Sequence, residues 1–301
     1  MKFIHAAAVM AALGLAVPAT ANQTAAEVAI PEAVTSDPVP DKTNPAATIA
    51  FSIPTGGVEV NAVLFRAAGA GPHPTVLVFH GWPGNERNLD IARSAQRAGW
   101  NAITFNYRGA WGSPGLWTFA HTIEDTEAAL AYLRRPDIAG GLRVNPEQIA
   151  VVGHSLGGWL AVRLASVDQR LLGAAAISAP DMGATGIAAA KDRSAALRFA
   201  IPNTRALAGS TPDLATDELI ARGPEWTFSR MLPGLRGQRL MVLSSDDGFN
   251  TYSDELVSGA AAAGATVEAH HAQTDHSWSD RRILLQAHVI NWLKGLVLDT
   301  P

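Results

Sequence analysis

The chain has no cysteine among its 301 residues, which removes thiol nucleophiles, iron–sulfur clusters, cysteine-bound zinc and disulfides together. Its chemistry must therefore run on Ser, His, Asp, Glu, Lys or Tyr. One segment concentrates that chemistry. Ile149-Ala-Val-Val-Gly153-His154-Ser155-Leu156-Gly157-Gly158 carries an apolar β-branched run into a G-x-S-x-G step and straight on into a helical pattern. The glycines suit a turn too sharp for neighbouring side chains, which holds the serine hydroxyl out at the strand's end. The following helix N-terminus points N–H dipoles at any negative charge that develops there. Ser155 is accordingly expected to be a nucleophile. A serine needs a base to take its proton and donors to hold an oxyanion. Of nine histidines, His270, His271, His276 and His288 lie late in the chain. His270 and His271 fall inside an alternating strand pattern and His288 inside the last helix. His276, in Thr274-Asp275-His276-Ser277-Trp278, falls in a strand-to-helix loop, from which it can reach across a sheet edge. A metal cluster of His270, His271, Asp275 and His276 does not match known ligand spacings.

The elements that must position these residues alternate. Thr48–Ile53 and Val58–Phe65 flank Gly56-Gly57 as a hairpin, and Thr75–Phe79, Trp100–Phe105, Ile149–Val152, Leu172–Ile177 and Leu240–Leu243 are short apolar runs. Such runs suit strands buried on both faces, the habit of parallel sheets. Helical patterns lie between them at Glu86–Ala98, His121–Arg135, Leu156–Val167 and Asp254–Ala263. A last one, Ser279–Leu298, places Ile283, Ala287, Ile290 and Leu293 on one face. The expected fold is α/β: a doubly wound, mostly parallel sheet with helices on both faces. The alternation breaks between about 181 and 238, where Gly186–Phe199 and Pro212–Ala221 read as short helices with no strand. Insertions of that length are usually lids or binding elements. Trp111, Trp117, Trp159, Trp226, Phe228 and Trp278 are candidate pocket walls, with Trp159 read as core.

From residue 48 to 298 the chain resembles the α/β-hydrolase superfamily. It is most similar to the branch of dienelactone hydrolases and prolyl-oligopeptidase-like enzymes. The motifs are Asn106-Tyr-Arg-Gly109, Asn145-Pro-Glu-Gln-Ile149 leading into Gly153-His-Ser-Leu-Gly-Gly158, and Leu243-Ser-Ser-Asp246-Asp247. Phe79-His80-Gly81-Trp82-Pro83-Gly84 would equally suit epoxide hydrolases and dehalogenases, but those use an aspartate where this chain has Ser155. No β-propeller precedes the domain, so peptidase activity is less expected than ester hydrolysis. The resemblance implies the order nucleophile, acid, histidine, with His276 as base and the acid in the Asp246-Asp247 loop. It implies oxyanion donors from the backbone N–H groups of Trp82 and Leu156, with His80 shaping the loop rather than moving protons. In these families the acid stands three residues before an apolar position. Phe249 is that position, which selects Asp246 and leaves Asp247-Gly248 as turn chemistry.

The expected activity is cleavage of a carboxylic ester, thioester or amide through an acyl-enzyme. The alternatives are acyl transfer on the same triad, or a ligand-binding protein with a vestigial triad. No metal or organic cofactor is implied, and the partner is a small-molecule ester or acyl compound. A net charge of −4 and a pI near 6.1 give no reason to bind nucleic acid. Residues 1–21, with Lys2, an apolar run and Ala19-Thr20-Ala21, read as a cleaved signal peptide for export to the periplasm or beyond. The run falls short of the roughly 20 apolar residues that span a bilayer. Residues 22–47, with four prolines, read as a poorly ordered leader.

Overall fold

The computed structural model describes residues 28–298, so the signal segment at 1–21 lies outside the described residues. In chain order the elements are α1 (Glu32–Thr35), β1 (Ala47–Thr55), β2 (Val58–Arg66), β3 (His73–Phe79), α2 (Leu89–Arg97) and β4 (Asn101–Phe105). There follow α3 (Phe119–Leu133), α4 (Pro136–Leu142), β5 (Val144–His154), α5 (Leu156–Val167) and β6 (Gly173–Ile177). The insertion holds α6 (Met182–Lys191), α7 (Arg193–Thr204), α8 (Pro212–Arg222) and α9 (Phe228–Met231). Then come β7 (Arg239–Ser245), α10 (Asn250–Ala262), β8 (Thr266–Ala272) and α11 (Arg282–Leu298).

The eight strands form one sheet in the order β1-β2-β4-β3-β5-β6-β7-β8. Only β1, β2 and the β2–β4 pair are antiparallel. The rest pair in parallel. Because β3 and β5 are buried on both sides, alternate residues feed two cores. Leu77, Phe79, Ile149 and Val151 pack with Leu130 of α3, Leu160 of α5 and Leu256 of α10. Val76, Val78, Ala150 and Val152 pack with Ile91 of α2 and Leu293 of α11 on the other face. The strand order reverses at β3, with β4 on one side and β5 on the other. In open α/β sheets ligands bind beyond the strands' carboxyl ends at such a switch point. Here that crevice receives the His80–Gly84 loop after β3 and the Ser155 turn after β5.

Three expectations change. Part of the leader is ordered: α1 docks on the body, with Arg97 Nε donating to Ala33 O at 2.6 Å and Asn291 Nδ2 donating to Ala29 O at 2.8 Å. Composition hid this because the anchors are backbone carbonyls, which any sequence supplies. The helix expected over 186–199 is two helices, broken at Asp192, whose carboxylate accepts the Ala195 N–H at 3.0 Å and caps α7. In α11, Ile283 is exposed while Ala287, Ile290 and Leu293 are buried.

Candidate active site

The turn at Ser155 is built by close approach. Ser155 has φ 58° and ψ −124°, a left-handed backbone that non-glycine residues rarely adopt. A Cβ at Gly153 would lie 1.9 Å from Gly157 O, and one at Gly157 would lie 2.3 Å from Phe79 O. Neither position admits a side chain, so strand and helix can cross tightly enough to project the serine. The Ser155 N–H is held by Ile177 O at 2.8 Å. The Leu156 N–H is the first of α5 and has no acceptor one turn back.

The loop after β3 lies against this turn. A Cβ at Gly81 would fall 2.9 Å from Ser155 Cβ and 3.4 Å from its Oγ, which puts the Trp82 backbone next to the nucleophile. His80 Nδ1 donates to Gly81 O at 2.8 Å, and the Tyr107 hydroxyl donates to His80 O at 3.0 Å. Burial pushes the His80 imidazole down to about 4, against a bond to Gly81 that opposes it. A neutral ring committed to its own loop braces that loop, as the sequence reading expects.

Asp247, and not Asp246, faces His276. His276 Nδ1 donates to Asp247 Oδ2 at 2.7 Å, which leaves Nε2 as the acceptor. The Asp247 carboxylate also accepts the Phe249 N–H at 2.8 Å. Burial pushes this carboxyl up, but the bonds from His276, Phe249 and Ser245, with the His276 charge, outweigh burial and hold it below its ordinary value. Asp246 turns the other way, accepting from His271 Nε2 at 3.1 Å, while its N–H donates to Thr274 O at 3.1 Å. That backbone bond ties the two loops together and directs the Asp246 side chain toward β8. The offset to Phe249 therefore selects the wrong neighbour by one residue. Phe249 itself packs edge-on to the His276 ring, with centroids 5.5 Å apart.

His154 adds a contact that sequence reasoning left out. Its Nε2 donates to His276 O at 2.7 Å, and burial, followed by the nearby His276 charge, pushes its imidazole down to about 4. The residue before the nucleophile thus anchors the backbone of the loop that carries the base. The signal was its place inside the G-x-S-x-G step.

Ser155, His276, Asp247, Trp82 and Leu156 line one cavity of about 370 Å³. Its apolar walls are Met182, Phe199, Leu219 and Phe249, together with Trp82. Of the candidate wall aromatics, Trp117, Trp226, Phe228 and Trp278 are buried core residues instead, and Trp159 is buried in the core as expected. Phe199 was missed because its place depends on how α7 packs. Among the described residues no group of three or more His, Asp or Glu side chains could hold a metal ion. His270 bonds Glu268 instead. Nor is any described helix long and apolar enough to cross a membrane.

Residues 74–275 match a family profile described as the alpha/beta hydrolase fold. An uncharacterised protein of Mycobacterium tuberculosis is 32% identical over 110 residues, a stretch covering 36% of this chain and only 37% of that protein. Among solved structures, the thermophilic carboxylesterase EstE1 from a metagenomic library superposes with a TM-score of 0.63 at 20% identity, over 89% of this chain and 92% of its own. Brefeldin A esterase, a bacterial homologue of human hormone-sensitive lipase, gives 0.60 at 18% identity, over 88% and 81%. The proline iminopeptidase of Mycobacterium smegmatis gives 0.57 at 19% identity, over 83% and 99%. At these identities the superpositions establish a shared fold.

Proposed function

The chain belongs to the alpha/beta hydrolase fold family, and on that premise we propose that it hydrolyses carboxylic esters with Ser155 as nucleophile. Ser155 Oγ attacks the ester carbonyl while His276 Nε2 takes its proton. Asp247 holds the imidazole in the tautomer this needs and stabilises the imidazolium that forms. The N–H groups of Trp82 and Leu156 bind the developing oxyanion, each worth roughly 10²–10³ in kcat in comparable sites. His276 then gives its proton to the departing alcohol. Water, activated by the same imidazole, hydrolyses the acyl-enzyme and regenerates Ser155. The observation that carries the reading is the convergence of Ser155, His276 and Asp247 on one apolar cavity, with the His276–Asp247 bond at 2.7 Å. The esterases among the fold relatives are in keeping with an ester substrate.

Two finer points belong to the same proposal. The motifs around Asn106 and Asn145 favour the dienelactone-hydrolase and prolyl-oligopeptidase-like branch. Residues 1–21 favour export, which N-terminal sequencing of the mature protein checks. The test of the activity is hydrolysis of p-nitrophenyl acetate by the purified protein. Release well above that of a Ser155→Ala variant is expected, and equal rates for the two proteins would refute it.

A further inference from the structure

The cavity at Ser155 does not end at its own walls. Trp82, Thr185, Phe199 and Leu219 line it and also line a second chamber of about 270 Å³ between α6, α7 and α8. The Trp82 and Phe199 rings meet at 61° with centroids 5.7 Å apart and form the neck between the two spaces. Trp82 is fixed there by stacking on Trp117 at 5.9 Å. Phe199 is 55% exposed and meets the Trp82 ring edge-on. Beyond the neck the chamber is walled by small carbon side chains, among them Ala188, Ala189, Ala196 and Ala200. Its polar members are the hydroxyls of Thr185 and Thr216 and the carboxylate of Asp192. That carboxylate is engaged by Ser194 and by the Ala195 N–H. It offers no counter-charge to an anionic arm.

We propose that this chamber is a binding subsite for one arm of the ester, and that the arm is neutral, apolar and about ten carbons in size. The inference rests on the ester-hydrolase reading and adds the substrate class. Size follows from volume: an apolar cavity of about 150 Å³ accommodates a benzene ring, so this chamber takes about ten carbon atoms. Class follows from the lining. An anionic arm would lose its water among alanines beside a like-charged carboxylate, and a cationic arm would find only the Asp192 carboxylate that Ser194 and the Ala195 N–H already bond. Two threonine hydroxyls replace few of the bonds that a strongly hydrated arm gives up. Short esters fill the first cavity alone and forgo the second.

The test compares kcat/KM for p-nitrophenyl acetate and octanoate in the wild-type protein and in two variants that fill the chamber from different helices. Ala196→Phe enters from α7 and Ala188→Phe from α6, both at positions open enough to solvent for the fold to accept them. The wild type should prefer the eight-carbon chain on one side of the ester, acyl or alcohol, and each folded variant should lower that long-to-short ratio by about tenfold or more. Octyl acetate, measured against ethyl acetate so that the leaving groups match, carries the eight carbons on the alcohol side. Whichever long-to-short ratio exceeds one and falls in the variants tells which arm enters the chamber. A wild-type ratio near one for both octyl esters, or a ratio unmoved in both variants, overturns the subsite. Failure to hydrolyse even acetate would instead sink the ester-hydrolase reading. Thermal melting identifies a variant that has not folded, and the other variant then decides.

Discussion

Two carboxylate–imidazole pairs stand side by side beyond the end of β7, built from adjacent aspartates. Asp247 pairs with His276 and its side chain is 2% exposed, whereas Asp246 pairs with His271 and its side chain is 56% exposed. The residue types are the same and the distances similar, at 2.7 and 3.1 Å. Even a serine is present in both settings: Ser155 shares a cavity with the first pair, and Ser244 Oγ lies 3.0 Å from His271 Nδ1 in the second. What differs is the surroundings. In the inner pair the carboxylate is shielded from water, and the imidazole opens onto an apolar cavity beside a helix N-terminus. The outer pair is solvated, and exposed ion pairs are worth about 0–1 kcal/mol. A triad is thus defined by burial and by what it faces more than by its list of residues.

The largest expected effect breaks the inner pair. Asp247→Asn should lower kcat by roughly 10⁴, because an amide can hold His276 in the wrong tautomer. KM for the same ester should change far less. Measured kcat within tenfold of wild type would remove Asp247 from the mechanism.

A second effect sharpens the role of burial. His80 and His154 are buried without a carboxylate partner, and burial pushes each down to about 4. In the unfolded chain both return to about 6.5. Between those limits the unfolded state binds more protons, so stability must fall as pH drops from 6.5 to 4. The shift corresponds to about 3 kcal/mol per histidine at most. Asp247 contributes in the other window: its carboxyl lies below the ordinary value, so its stabilisation persists above about 4 and is lost only in stronger acid. Urea midpoints should therefore decline between pH 6.5 and 4, and His154→Gln should flatten that decline. A profile level across this range would contradict the buried, neutral rings.

The smallest effect belongs to the outer pair. Asp246→Asn should change kcat by no more than about threefold and stability by no more than about 1 kcal/mol. A loss approaching that of Asp247→Asn would erase the distinction between the two pairs.

Much of this was legible in the sequence because it depends on local requirements. The Gly153–Gly157 spacing serves a turn that only glycine can make, and Ser155 follows from it directly. The apolar runs that become β3, β5, β6 and β7 announce strands covered on both faces. Choosing between Asp246 and Asp247 was different. Their side chains diverge because the Asp246 N–H bonds Thr274 O, a contact made only after β7 and β8 are aligned. An offset rule along the chain cannot see that contact. The insertion was legible as helical and as interrupting the sheet, but Phe199 gained its place at the cavity only through the packing of α7 on Trp82. His154 was visible as a letter in the motif, while its bond to His276 O spans 122 residues.

The most direct test of the central claim is labelling with a fluorophosphonate, followed by mass spectrometry of the modified peptide. The account predicts one adduct, on Ser155, that is absent from Ser155→Ala and slowed in Asp247→Asn but not in Asp246→Asn. A folded native protein that takes no label, or one labelled on Ser244 beside the outer pair, would contradict it.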